Sequence, residues 1–133
     1  MKPTAMKAMK KAKKPAAPRA SERQIQKAIF DFLRLALPSG AWVGAIPGGD
    51  GRATRTPGYV AGTPDLMIVH CGAAYFLEVK TATGSVSNAQ RDTRGALWHA
   101  GAKTSIVRDV QGAEYACAHL WNIPLRASVK AAA

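Results

Sequence analysis

Hydrophobic and polar positions along this chain follow two different periods, and the switches between them mark out its elements. Ile25, Ala28, Ile29, Phe32, Leu33 and Leu37 keep helical spacing behind Ser21-Glu22-Arg23-Gln24, which reads as a capping box with Ser21 at the N-cap. Pro38 and Gly40 stop that helix. The apolar run AWVGAI at 41–46 is short and partly β-branched, and predicts a strand. Two more apolar runs, LMIV at 66–69 and AYFL at 74–77, flank a turn and predict a hairpin. A helix is predicted over 88–100 and ended by Gly101, then a strand over 103–108, then a last helix over 110–121 with Asp109 as its cap.

The order is therefore α-β-β-β-α-β-α. The unit formed by strand 75–80, helix 88–100 and strand 103–108 implies a parallel pair joined by a right-handed crossover. The fold class expected is α/β, a small mixed sheet flanked by helices. Residues 21–124 make up the expected folded domain. Before it, MKPTAMKAMKKAKKPAAPRA at 1–20 has almost nothing to bury and reads as a disordered basic arm. After it, residues 125–133 read as a flexible tail. The stretch 47–64 is rich in glycine and proline, carries Arg52 and Arg55, and is long enough to be a functional or mobile loop.

Charge adds a partner. The net charge of +11 is uneven: seven of 19 basic residues fall in the first twenty positions, leaving 12 in the remainder against all 8 acidic ones. Such a field favours a polyanion, and nucleic acid is the commonest one in a cell. Lys10, Lys11, Lys13 and Lys14 are candidates for sequence-independent phosphate contact, with a solubilising tail as the alternative. Two cysteines without a paired framework suggest a reducing compartment. Nothing approaches the ~18 apolar residues of a membrane span, and no apolar stretch follows the N-terminal lysines as in a secretory signal. A cytoplasmic protein is expected. His70-Cys71 and Cys117-x-His119 lack the ligand spacing of a zinc site. Trp98 and Trp121 are assigned to the core.

The hairpin carries the chemistry. With residues 70–73 as its connection, Ile68 pairs with Tyr75, Met67 with Phe76, Leu66 with Leu77 and Asp65 with Glu78. Directly opposed residues share a face, and Lys80, two positions beyond Glu78, shares it as well. A slip of one residue would send Asp65 to the other side. In the expected register, two carboxylates and an ammonium converge at one sheet end. Two acids that close repel each other, and a hard divalent cation removes the conflict. The arrangement suits metal-assisted phosphodiester hydrolysis.

At these residues the sequence resembles the PD-(D/E)XK nuclease superfamily, through Pro64-Asp65 and Glu78-Val79-Lys80. More narrowly it resembles the VRR-NUC group, through Ser21-Glu22 and Gln26 on the opening helix, Gly62-Thr63-Pro64-Asp65, Glu78-Val79-Lys80, and Gln90 at the start of the next helix. The resemblance spans about residues 21–110. It implies a restriction-endonuclease-like core and a DNA nuclease using Mg²⁺, or Mn²⁺, without a small-molecule cofactor. It further implies structured or branched substrates, a homodimer for symmetric cutting, and a bacterial or phage setting. Asp65 and Glu78 would be metal ligands, with the Val79 backbone carbonyl and Glu22 as further ones. Lys80 would orient or help deprotonate the attacking water, and Gln90 would support the site. Where related sequences carry an Asn-Gly type segment after the first strand, this chain has Ile46-Pro47-Gly48-Gly49.

Alternatives stand beside these roles. Ser87-Asn88-Ala89-Gln90 is itself a capping box, so Gln90 has a purely structural reading. Glu22 falls in a first helical turn, where the macrodipole favours an acid. Arg91 and Arg94, one turn apart, suit either a DNA strand or a solvated face, and Arg52 and Arg55 suit either the phosphate backbone or a solvated loop. For the whole chain, the rivals are a catalytically silent nucleic-acid-binding protein with a nuclease fold and a site-specific, restriction-like endonuclease.

Overall fold

The computed structural model describes residues 18–47 and 56–129. Helix α1 spans Glu22–Ala36, with the Ser21 hydroxyl accepting the Gln24 N–H at 3.1 Å and the Gln24 side chain accepting the Ser21 N–H at 2.8 Å. Strand β1 is Trp42–Ala45, β2 is Leu66–His70 and β3 is Ala73–Val79. Helix α2 spans Asn88–His99, β4 is Lys103–Val107 and α3 is Val110–Tyr115. The expected α-β-β-β-α-β-α order is the observed one.

The four strands form one sheet in the order β1-β2-β3-β4, antiparallel except for the parallel β3–β4 pair that α2 joins. The hairpin has the expected register, with Leu66 opposite Leu77 and Val69 opposite Ala74. Its turn is tighter than the predicted connection, because His70 also pairs with Ala73. That leaves Cys71 and Gly72 as a two-residue turn, both at positive φ (48° and 77°), the twist that suits flanking strands.

Alternation along the strands gives the sheet two unlike faces. Leu66, Ile68, Leu77, Val79 and Val107 are buried against Ile29, Phe32 and Leu33 of α1 and Ala113 of α3. Each large side chain so buried contributes about 1.5–3 kcal/mol. Ala28, expected on this face, is exposed, one turn-edge away from the stripe.

The chain departs from expectation at its C-terminal end. The last helix is α-helical only to Tyr115, and Ala116–Leu120 continue as a π-helical turn, with the Trp121 N–H donating to the Ala116 carbonyl at 3.0 Å. Asn122 stops it at φ 52°, and the Ile123 N–H returns to the Cys117 carbonyl at 2.8 Å. Within the predicted tail, residues 125–129 are packed rather than frayed. Leu125, Ala127 and Val129 lie against the core, and the Arg126 N–H donates to the Ala36 carbonyl at 2.7 Å, satisfying an acceptor at the end of α1. Of the other unpartnered sequence features, Trp121 packs with Tyr75 as expected (ring centroids 4.9 Å apart), whereas Trp98 is 62% exposed with Lys103 Nζ 5.5 Å from its ring.

Candidate active site

Backbone hydrogen bonds fix the sheet end from which the acids project. Asp65 is tied on both sides: its N–H donates to the Leu77 carbonyl at 3.1 Å, and its carbonyl accepts the Ile46 N–H at 2.8 Å. Its carboxylate accepts the Val79 N–H at 2.7 Å, so the side chain is locked onto the strand that carries Glu78. The Lys80 N–H donates to the Val107 carbonyl at 3.0 Å, extending the β3–β4 ladder past Val79. Continued outward from Leu66–Leu77, the hairpin register sets Asp65 opposite Glu78, as the sequence predicts.

Glu78 is 2% exposed and Lys80 8% exposed, unusual burial for either residue type. Burial pushes the Glu78 carboxyl up to about 8. The charge of Asp65 and a hydrogen bond with it act in the same direction, as does Glu22, while Lys80 opposes them. Glu22, brought in by the first turn of α1, completes a triad: one oxygen from each of Glu22, Asp65 and Glu78 lies within 4.8 Å of the others. This is the one such cluster of potential metal ligands among the described residues. Glu78 Oε2 is buried and receives no hydrogen bond from a protein N–H donor, Asp65 can bond to Glu78 only by sharing a proton, and three carboxyl groups set this close fit a hard cation with oxygen ligands.

Gln90 satisfies both of its readings. Its side-chain oxygen accepts the Ser87 N–H at 3.0 Å, closing the capping box of α2, and its Nε2 donates to Glu78 Oε1 at 2.8 Å. The glycine of Gly62-Thr63-Pro64-Asp65 explains how the helix reaches the strand. At φ 80°, a Cβ on Gly62 would lie 2.2 Å from the Ala89 carbonyl group and 2.5 Å from the Gln90 nitrogen. Thr93 Oγ1 adds a bond to the Ala61 carbonyl at 2.6 Å. The loop thus passes directly over the first turn of α2, delivering Asp65 and Gln90 to the same place.

Two contributors escape sequence reasoning. Arg108 donates through one guanidinium nitrogen to the carbonyls of Thr81 (2.6 Å) and Gly84 (2.7 Å), bracing the turn that follows Lys80. The Val79 N–H bond to Asp65 is the other, and no local motif signals either. Of the expected phosphate-contacting residues, Arg91 is exposed and Arg94 is half-buried, with its Nε buried and lacking a partner. Arg52, Arg55, Lys10, Lys11, Lys13 and Lys14 lie outside the described residues. Cys71 lies on the exposed hairpin turn, its sulfur 3.4 Å from His70 Nε2, and buried Cys117 has its thiol pushed up to about 12 by desolvation.

The fold and this sheet end define a restriction-endonuclease-like α/β domain. No protein-family model and no curated protein matches the sequence. A solved structure described as a VRR_NUC domain does match, with a TM-score of 0.52 and 24% sequence identity over 74% of this chain and 95% of that one. The likeness is one of fold.

Proposed function

We propose that this protein is a divalent-metal-dependent nuclease that hydrolyses DNA phosphodiester bonds, with branched or otherwise structured DNA as the preferred substrate. The observation that carries this reading is the convergence of Glu22, Asp65 and Glu78, with one carboxylate oxygen of each within 4.8 Å of the others. Three acids so close repel one another, and a fold that needed them only for packing would gain by replacing them. Asp65 and Glu78 would hold Mg²⁺ or Mn²⁺, with the Val79 carbonyl and Glu22 completing the ligand set. Bound there, the ion supplies an activated water and offsets charge on the phosphate oxygens.

The chain's own groups do the positioning. Gln90 fixes the Glu78 carboxylate through Oε1, and Oε2 receives no protein N–H donor that a cation would have to displace. Asp65 is oriented by the Val79 N–H. Lys80, attached to the same sheet end, orients the attacking water and faces the developing charge on phosphorus oxygens. Arg91 and Arg94 on α2 contact the DNA backbone, joined by Arg52 and Arg55 and by the lysines at positions 10, 11, 13 and 14. Symmetric cutting of a four-way junction calls for two such sites, so the reading extends to a homodimer, which the mass in solution checks.

The test is cleavage of a labelled four-way junction, a flap and a plain duplex with Mg²⁺, Mn²⁺ or EDTA, using wild type and Glu78→Ala. Metal-dependent cutting by wild type and binding without cutting by the variant are expected. Equal binding with no cutting by either protein would instead favour a silent nucleic-acid-binding protein. Buried Glu78 and Lys80 beside half-buried Asp65 argue against that rival, because binding alone has no use for them.

A further inference from the structure

We propose that Trp42 is a stacking platform for an unpaired base of the substrate strand. The inference rests on the nuclease reading and adds a substrate class to it, namely DNA with a single-stranded segment beside the cut. Trp42 opens β1 and is 53% exposed, an uncommon surface position for so large an apolar side chain. Its ring is not free to wander. A Cβ on Gly44 would lie 2.3 Å from the ring's Cη2 and 2.6 Å from its Cζ2, so the indole rests across the glycine. One ring side is backed by the strand, and the other is open.

The location fits a substrate. Trp42 pairs with Val69 and Gly44 with Met67, so the ring lies on the sheet face that carries Asp65 and Glu78. Met67 and Phe76, paired with each other, are on this face between the acids and the ring. Asp65 and Val69 are four strand positions apart, about 13 Å along the sheet. Helix α1 packs on the opposite face and α2 packs against β4, which leaves β1 and β2 without a helix over this face among the described residues. A strand whose phosphate lies at the acids can therefore run over an apolar track and reach the indole within a few nucleotides.

The ring's chemistry points to the same occupant: a flat aromatic surface, half exposed and held over Gly44 on the face of the acids, suits an unpaired base. Stacking also tolerates any base, as a protein without a base-reading module requires.

The experiment is equilibrium binding in EDTA, by fluorescence anisotropy, of a labelled oligothymidine strand and of a blunt duplex. Wild type is compared with Trp42→Leu, which still covers Gly44, and Trp42→Phe, which retains a ring. Circular dichroism of each variant verifies folding. Stacking is worth enough that Trp42→Leu should weaken single-strand binding by roughly ten-fold or more, with duplex binding unchanged and Trp42→Phe recovering most of the loss. Wild-type affinity of Trp42→Leu for the single strand, or an equal loss on both ligands, would overturn the proposal. Because no metal is present, this outcome is independent of whether the chain cleaves DNA.

Discussion

Gln90 joins a helix end to the acid cluster: it accepts the Ser87 N–H at 3.0 Å and donates to Glu78 Oε1 at 2.8 Å with the same amide. The two ends of the side chain are separable by substitution. Gln90→Glu keeps the acceptor that caps α2 but puts a carboxylate against Glu78 in place of a donor. Cleavage is expected to fall about 10–100-fold, the usual loss when a group orienting a metal ligand is changed. Helix content should be retained. Single-turnover cleavage beside far-UV circular dichroism checks both halves, and unchanged cleavage would remove Gln90 from the site.

Glu78 makes stability depend on pH in an unusual direction. Its folded carboxyl is raised to about 8 from 4.5, mainly by desolvation, so the folded chain keeps a proton that the unfolded chain releases. That contribution is fully present below about pH 4.5 and is lost as pH rises through about 8. Across this window it amounts to roughly a few kcal/mol. Glu78→Gln should therefore flatten the decline, and in EDTA its Tm should exceed that of wild type by more at pH 8 than at pH 5. A divalent ion must displace the same proton, so its affinity for wild type should climb with pH up to about 8. Parallel Tm–pH curves for the two proteins would contradict the assignment.

Gly62 and Gly58 provide a matched pair. Both sit at positive φ (80° and 84°), but a Cβ on Gly58 meets nothing within 4 Å, whereas on Gly62 it runs into the backbone of Ala89. Gly58→Ala should cost about 1–2 kcal/mol, the strain of a left-handed alanine. Gly62→Ala carries the same strain plus a collision with a carbonyl group that no side-chain rotation can relieve. It should be the more destabilising variant and should also lose cleavage, because Asp65 and Gln90 would be pushed apart. Urea denaturation of both variants checks the ordering, and equal losses would mean that the loop yields without strain.

The sequence makes some of this site legible and hides the rest for identifiable reasons. Asp65 opposite Glu78 could be read because strand alternation and a short turn leave one register that buries Leu66, Ile68 and Leu77. Shortening the turn from the predicted connection to Cys71-Gly72 left that register intact, since the added His70–Ala73 pair is in phase with it. The cap at Gln90 is equally local. Its second bond is not, because nothing in Ser87-Asn88-Ala89-Gln90 says which way the amide's other end points. Gly62 is visible as part of a motif, but its reason is the approach of a helix 27 positions further on. Size alone misassigned Trp98, whose exposed ring lies beside Lys103. The packing of 125–129 depends on an unfilled carbonyl at Ala36, which composition does not reveal.

Arg108 tests how tightly the turn after Lys80 must be held. Its donations to Thr81 and Gly84 span 27 and 24 residues, and no other side-chain hydrogen bond to these two carbonyls is found among the described residues. Arg108→Ala would return both acceptors to water on an exposed surface, so the stability loss should be modest, about 1 kcal/mol. The larger effect should be on the reaction, since Lys80 sits at the base of that turn and the proposed mechanism requires its ammonium to keep one position for the attacking water. Cleavage at saturating Mg²⁺ is expected to fall several-fold in Arg108→Ala. Arg108→Lys, which can still present a cationic donor to both carbonyls, should recover part of the rate. A rate unaffected in both variants would show that Lys80 is positioned by the β3–β4 ladder alone, through its N–H bond to Val107.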